Sequence, residues 1–139
     1  MANPKQHIVL LDPSIKDTKG SLSDNLGDVI IFESIIDIIN KIFPDKEVIR
    51  ISTHIEFGSK QKKIINNAFF CFAGGSNMLS SDIRNFPKMT THKKKGFYFF
   101  PGIKNIILLG VGWNNYQSNP DWASRFYYNN ILHKDFFHS

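Results

Sequence analysis

The hydrophobic pattern of this chain switches repeatedly between two periods. Residues 7–11, His-Ile-Val-Leu-Leu, form a short unbroken apolar run rich in β-branched side chains and stopped by Asp12-Pro13. Such a run predicts a strand buried on both faces. From Asp28 to 43 the spacing becomes helical: Glu33, Asp37, Asn40 and Lys41 fall on one stripe, and Ile31, Ile35, Ile38, Ile39 and Ile42 fill the rest. That distribution predicts a helix largely buried against a sheet and ended by Pro44. Residues 47–52 predict a second strand, 59–66 a short basic helix, 68–73 a third strand, 105–109 a fourth and 121–132 a last helix. A further strand is expected to start at 134–137.

Strands that alternate with helices imply a mainly parallel sheet covered on both faces, an α/β three-layer domain. The connections are short except for two. Residues 12–24 form a polar loop with Gly20 and three serines, a length that often carries function. Residues 80–101 are the least regular stretch and contain Lys93-Lys94-Lys95 beside the aromatic block Phe97-Tyr98-Phe99-Phe100. No internal repeat, low-complexity tract or interdomain linker breaks the pattern, so residues 1–139 are read as a single unit.

Composition narrows the function classes only slightly. With 139 residues, 42% of them hydrophobic, the chain can build one core and lies far from the composition of disordered segments. The net charge of +5, from 17 basic and 12 acidic residues, suits a phosphorylated substrate, a nucleic acid or a membrane surface equally. No signal peptide is visible, and no stretch approaches the roughly 18 unbroken apolar residues of a membrane span. A soluble, cytoplasmic protein is the expectation. The one cysteine, Cys71, sits inside an apolar run and reads as a buried small hydrophobe. The five histidines show no metal-ligand spacing, so no metal site is expected. There is neither a G-x-S-x-G elbow nor a phosphate-binding G-x-x-x-x-G-K-[ST] loop. The basic-aromatic stretch 93–100 could contact single-stranded nucleic acid, but a solvated charge run beside core aromatics is the simpler reading.

Chemistry concentrates at three turns. Asn25-Leu26-Gly27-Asp28 opens the long helix: Asn25 is the N-cap, with Asp28 three residues on in a capping-box-like spacing. Gly27 would let a ligand approach the backbone, the helix start offers N–H groups to an anion, and Asp28 could bind a hydroxyl or act as a base. An ordinary capped helix is the alternative. Gly74-Gly75-Ser76-Asn77 closes the third strand, with two glycines free to take positive φ and two polar side chains at the carboxyl edge of the sheet. A tight strand-to-loop turn would look the same. Gly110-Val111-Gly112-Trp113-Asn114 follows the fourth strand, where Trp113 could stack on a sugar ring and Asn114 bond its hydroxyls. Trp113 could equally be a lid on the core. Three such turns at the same edge of one sheet favour a small-molecule site.

At these residues the chain resembles the amino-terminal half of the polysaccharide pyruvyl transferase family. The resemblance is carried by Asn25-Leu26-Gly27-Asp28 with its helix, by 70–77 (Phe-Cys-Phe-Ala-Gly-Gly-Ser-Asn), by 108–112 (Leu-Leu-Gly-Val-Gly) and by the helical segment 121–132 leading to His138-Ser139. Ala73 stands where many members have a third glycine. Membership implies a Rossmann-like lobe resembling the N-terminal lobe of a B-type glycosyltransferase fold, with the active site in the cleft between two lobes. It implies transfer of the enolpyruvyl carbons of phosphoenolpyruvate onto sugar hydroxyls as a ketal, in making cell-surface polysaccharide, with no cofactor. It implies a sugar or glycan acceptor as partner, together with a second lobe or a second copy of the chain, and no nucleic acid. Asp28 then becomes the candidate catalytic residue, and Asn25, Gly27, Gly74, Gly75, Ser76, Asn77, Gly112, Trp113 and Asn114 the candidate substrate contacts. The donor site, with its basic groups, is expected in the second lobe, without which the 139 residues would not suffice for activity. Two other readings stay open on the same turns: a lobe that uses a nucleotide sugar, and a non-catalytic module that binds a sugar or a protein.

Overall fold

A computed structural model of the chain describes residues 7–55, 57–75, 77–84, 102–113 and 119–139. Four strands, β1 (His7–Asp12), β2 (Glu47–Ser52), β3 (Cys71–Gly74) and β4 (Ile106–Leu109), form one parallel sheet in the order β2-β1-β3-β4. Three helices, α1 (Leu26–Ile42), α2 (Ser59–Asn66) and α3 (Trp122–Ile131), connect and cover them. This is the α/β, Rossmann-like arrangement that the periodicity predicts.

The chain steps outward from β1 to β2 through α1, then reverses past β1 to β3 through α2. Crossovers in parallel sheets are right-handed, so a reversal of direction puts the two helices on opposite faces. The core divides accordingly. Ile8 and Leu10 of β1 pack with Phe32 and Ile39 of α1, while Val9 and Leu11 pack with Ile65 of α2 and with Tyr128 and Ile131 of α3. β1 is thus the central strand, and Ile8 through Leu11 are all fully inaccessible. Burial of such side chains stabilises by about 1.5–3 kcal/mol each before entropy is counted. Cys71 is buried, and burial pushes its thiol well above the usual range, which makes it inert.

Two expectations need correction. α1 is not largely buried: only Phe32 and Ile39 are, while Ile30, Ile31, Ile38 and Ile42 are exposed, Ile30 at 67%. The reason is geometric, since a helix lying on one face of a four-stranded sheet can press only one side against it. Residues 134–135 form a turn rather than a strand. The tail nonetheless runs beside β4: His133 N donates to Ile106 O at 2.9 Å, Ser139 N donates to Leu108 O at 3.2 Å, and Val111 N donates to Ser139 O at 2.9 Å. The 93–100 stretch lies outside the described residues. Among the described residues no helix is long and apolar enough to cross a membrane.

The carboxyl end of β3 is held very close to α1. A Cβ on Gly74 would stand 2.6 Å from Ile35 Cδ1, and one on Gly75, whose φ is +62°, would stand 2.9 Å from Ile31 Cγ2. Gly20 also has positive φ, +86°, but its surroundings are open. Gly20→Ala is therefore expected to cost about 1 kcal/mol from backbone strain alone. Gly75→Ala adds steric overlap and is expected to cost about 2–3 kcal/mol. Urea unfolding of the two variants side by side checks the difference.

Candidate functional site

The start of α1 is built by a short run of polar side chains. Asn25 takes extended backbone angles and accepts from Gly27 N through Oδ1 at 3.1 Å, which makes it the N-cap that the sequence predicts. The reciprocal half of a capping box is absent: Asn25 N donates to Ser23 Oγ at 3.2 Å instead. Asp28 lies in the first turn, half-buried, and among the described residues its carboxylate has no partner. An acceptor group thus stands free where helix N–H groups also emerge.

The turns after β3 and β4 are neighbours, and the first of them lies against α1. Gly75 packs on Ile31 and Phe32 of α1, and Gly75 N donates to Leu109 O at 3.0 Å, joining the ends of β3 and β4. Leu79 N donates to Gly112 O at 3.0 Å, and Leu79 bridges in parallel to Trp113. Gly74 and Gly75 have a packing reason to be glycine whatever they bind. Trp113 is half-buried, packs against the core and meets Tyr128 edge-on at 5.8 Å between centroids. It also lines a cavity of about 520 Å³ with Arg125, Asn129 and His138. That cavity does not include Asn25, Gly27 or Asp28. Asn77 is exposed and Gly112 half-buried. Ser76 and Asn114 lie outside the described residues.

Two polar clusters at this edge carry no motif and were not singled out from sequence. In the first, the fully buried Asp12 ends β1: Oδ1 accepts from Ser14 N at 2.7 Å and Ser14 Oγ at 2.6 Å, and Oδ2 accepts from Arg50 Nε at 2.6 Å. Arg50 Nη2 also donates to Ser14 Oγ at 3.0 Å. The signal was available as an arginine inside an otherwise apolar strand, opposite a strand that ends in aspartate.

The second cluster ties α3 to the loop after β3. Asp121, the N-cap, accepts from Ser124 N at 2.7 Å and from Arg84 Nε at 2.9 Å. These hydrogen bonds, from Ser124 above all, hold its carboxyl below the usual carboxylate range. Ser124 Oγ accepts from Ile83 N at 2.9 Å. The Tyr128 hydroxyl accepts from Ser80 N at 2.7 Å and donates to Ser80 O at 3.1 Å. Burial pushes Tyr128 up to about 12, so it stays a neutral strut at ordinary pH. Asp121, Ser124 and Tyr128 recur at helical spacing and so share one face of α3.

The family model for polysaccharide pyruvyl transferase matches residues 25–139. No curated protein and no solved structure matches the chain. The match begins at Asn25, the N-cap of α1, and takes in all three turns.

Removing one half of the Asp12–Arg50 pair strands the other in the interior. Arg50→Leu is expected to cost about 3 kcal/mol, the low end for such pairs because the Arg50 side chain is 30% exposed. Asp12→Asn with Arg50→Leu should recover part of it, as a urea-unfolding mutant cycle would show. Tyr128→Phe leaves the buried Ser80 N–H without its acceptor and is expected to cost about 1–3 kcal/mol in the same measurement.

Proposed function

The chain belongs to the polysaccharide pyruvyl transferase family, and from that premise we propose that it forms the lobe that binds the sugar acceptor in transfer of pyruvate from phosphoenolpyruvate. The observation that carries the proposal is the family match over residues 25–139, on a Rossmann-like parallel sheet.

The reaction makes specific demands. The methylene carbon of the enol gains a proton and becomes a methyl group. Two sugar hydroxyl oxygens then bond to the adjacent carbon, the bond from that carbon to the phosphate ester oxygen breaks, and inorganic phosphate leaves. Of the two hydroxyl protons released, one balances the proton gained by carbon and the other leaves with phosphate. A hydroxyl is a weak nucleophile near neutral pH, so a carboxylate placed to accept its proton lowers the barrier. Asp28 suits that role, because among the described residues its carboxylate has no partner and it sits on a helix. In this reading Asn25 and Gly27 hold the helix start against the acceptor, and Asn77 and Ser76 supply hydroxyl contacts. Gly74, Gly75 and Gly112 keep the turns low enough for a ring to approach, while Trp113 offers a stacking face and Asn114 a hydroxyl contact. The loss of acceptor orientation alone would be costly, since positioning contributes several kcal/mol to such transfers.

The test is phosphate release from phosphoenolpyruvate with a panel of glycan acceptors, run with the chain supplied together with the second lobe that is expected to hold the donor. Asp28→Asn is expected to lower kcat at least 100-fold. Glu33→Gln, exposed on the same helix, should leave it unchanged. Phosphoenolpyruvate left intact across the panel would overturn the proposal, and saturable binding of a nucleotide sugar instead would favour a glycosyl donor.

A further inference from the structure

The outward side of α1 is apolar where a surface helix ordinarily carries charge. Leu26, Ile30, Ile38 and Ile42 are 73%, 67%, 53% and 62% exposed, and Ile31 beside them is exposed as well. Those four are separated by four or eight residues, so they lie on one ridge along the helix with Ser34 in the gap. Ser34 Oγ donates to Ile30 O at 3.0 Å, so its hydroxyl proton is already placed within the helix and burying this small side chain strands no donor. Glu33, Asp37 and Lys41, all exposed, form the neighbouring row and border the ridge with polar groups.

The ridge has a centre. Ser34 is the midpoint of the 17-residue helix. Reversing the helix about that point exchanges Leu26 with Ile42 and Ile30 with Ile38, aliphatic with aliphatic of nearly the same size. An isologous contact requires such a pattern, because across a two-fold axis a patch meets the same patch of an identical chain. The small residue falls where two such helices would cross, and the side chains at a crossing set how closely the axes approach. Burying one aliphatic side chain removes on the order of 100 Å² from water. Five from each copy remove on the order of 1,000 Å² in all, the level at which specific interfaces begin.

We propose that α1 pairs with α1 of a second copy of this chain, antiparallel across a two-fold axis at Ser34. The contact buries Leu26, Ile30, Ile31, Ile38 and Ile42 of both copies and leaves Glu33, Asp37 and Lys41 at the rim. A partner of different sequence would place no demand on the order of residues along the ridge, whereas a second copy accounts for an order that reads alike in both directions. Asp28 is not on the ridge, so the pairing holds or fails independently of the pyruvyl-transfer reading.

Sedimentation equilibrium of the 139-residue chain between about 1 and 100 μM tests it. The expected result is a reversible dimer, twice the mass of the 16.0 kDa chain. Ile30→Lys and Ile38→Lys should each weaken the dimer at least 100-fold, since each substitution enters the contact twice, and should leave the far-UV circular dichroism of the fold intact because both positions are exposed. Phe126→Lys, at a position as exposed on α3 as Ile30 is on α1, should leave the dimer unchanged. Under mild oxidation Ser34→Cys should link the two copies, because position 34 meets itself at the axis. Lys41→Cys should not, because Lys41 of one copy lies level with Gly27 of the other and the two introduced thiols are about 20 Å apart. The native Cys71 is buried and takes no part. A monomer at 100 μM, higher assemblies in place of a dimer, a dimer indifferent to Ile30→Lys, or linking through Lys41→Cys as readily as through Ser34→Cys would each overturn the proposal.

Discussion

The carboxyl edge of this domain depends on how tightly α1 lies against the ends of the central strands. Phe32 and Ile39 are pressed into the space above Ile8, Leu10 and Phe72, and Gly74 and Gly75 pass beneath Ile35 and Ile31 with no room for a side chain. A larger residue at either glycine would lift the helix, and with it the Asn25 cap and Asp28. The interior is close-packed, so a displacement there is transmitted rather than absorbed. The turn after β3 is thus packed on α1 and joined to the end of β4 through the bond from Gly75 N to Leu109 O.

Around this packed centre, polar clusters fasten what the apolar core cannot reach. Asp12, Ser14 and Arg50 lock the loop leaving β1 onto β2, and Ser52 Oγ donates to Ile15 O in support. Asp121, Ser124 and Tyr128 lock α3 onto residues 80–83. In both cases one face of a regular element carries hydrogen-bonding groups where an apolar stripe would ordinarily continue. Such groups discriminate more sharply than apolar contacts, because a misplaced partner leaves a buried donor or acceptor unmet.

The regular elements were largely legible because their periods are unmixed. Residues 47–52 and 59–66 fall where β2 and α2 are, and Cys71 is buried as its apolar neighbours imply. The exposed isoleucines of α1 were not legible, because composition shows that a residue is apolar and not how many strands lie beneath it. The tail misled for a related reason: aromatic Phe136 and Phe137 look strand-like, but Lys134 and Asp135 turn the chain before Ser139 meets Leu108. At the candidate site the Asn25 cap was readable from a local rule, whereas the link from Gly75 to Leu109 and the pairing of Asp12 with Arg50 join residues far apart in sequence. Local patterns cannot report such pairs. Trp113 sits between its two readings, half-buried on Tyr128 and also lining a cavity.

The strand order has a consequence for the order of events in synthesis. β1 is the most thoroughly buried strand, yet it is the first to be made, and both of its neighbours come later: Glu47–Ser52 on one side, Cys71–Gly74 on the other. Every ladder in the sheet joins distant segments, and no hairpin can form early to shelter an edge. As the chain leaves the ribosome, Ile8 to Leu11 is an apolar, β-prone segment with nothing to pair with. The first element made after it that can cover it is α1, whose Phe32 and Ile39 pack on Ile8 and Leu10.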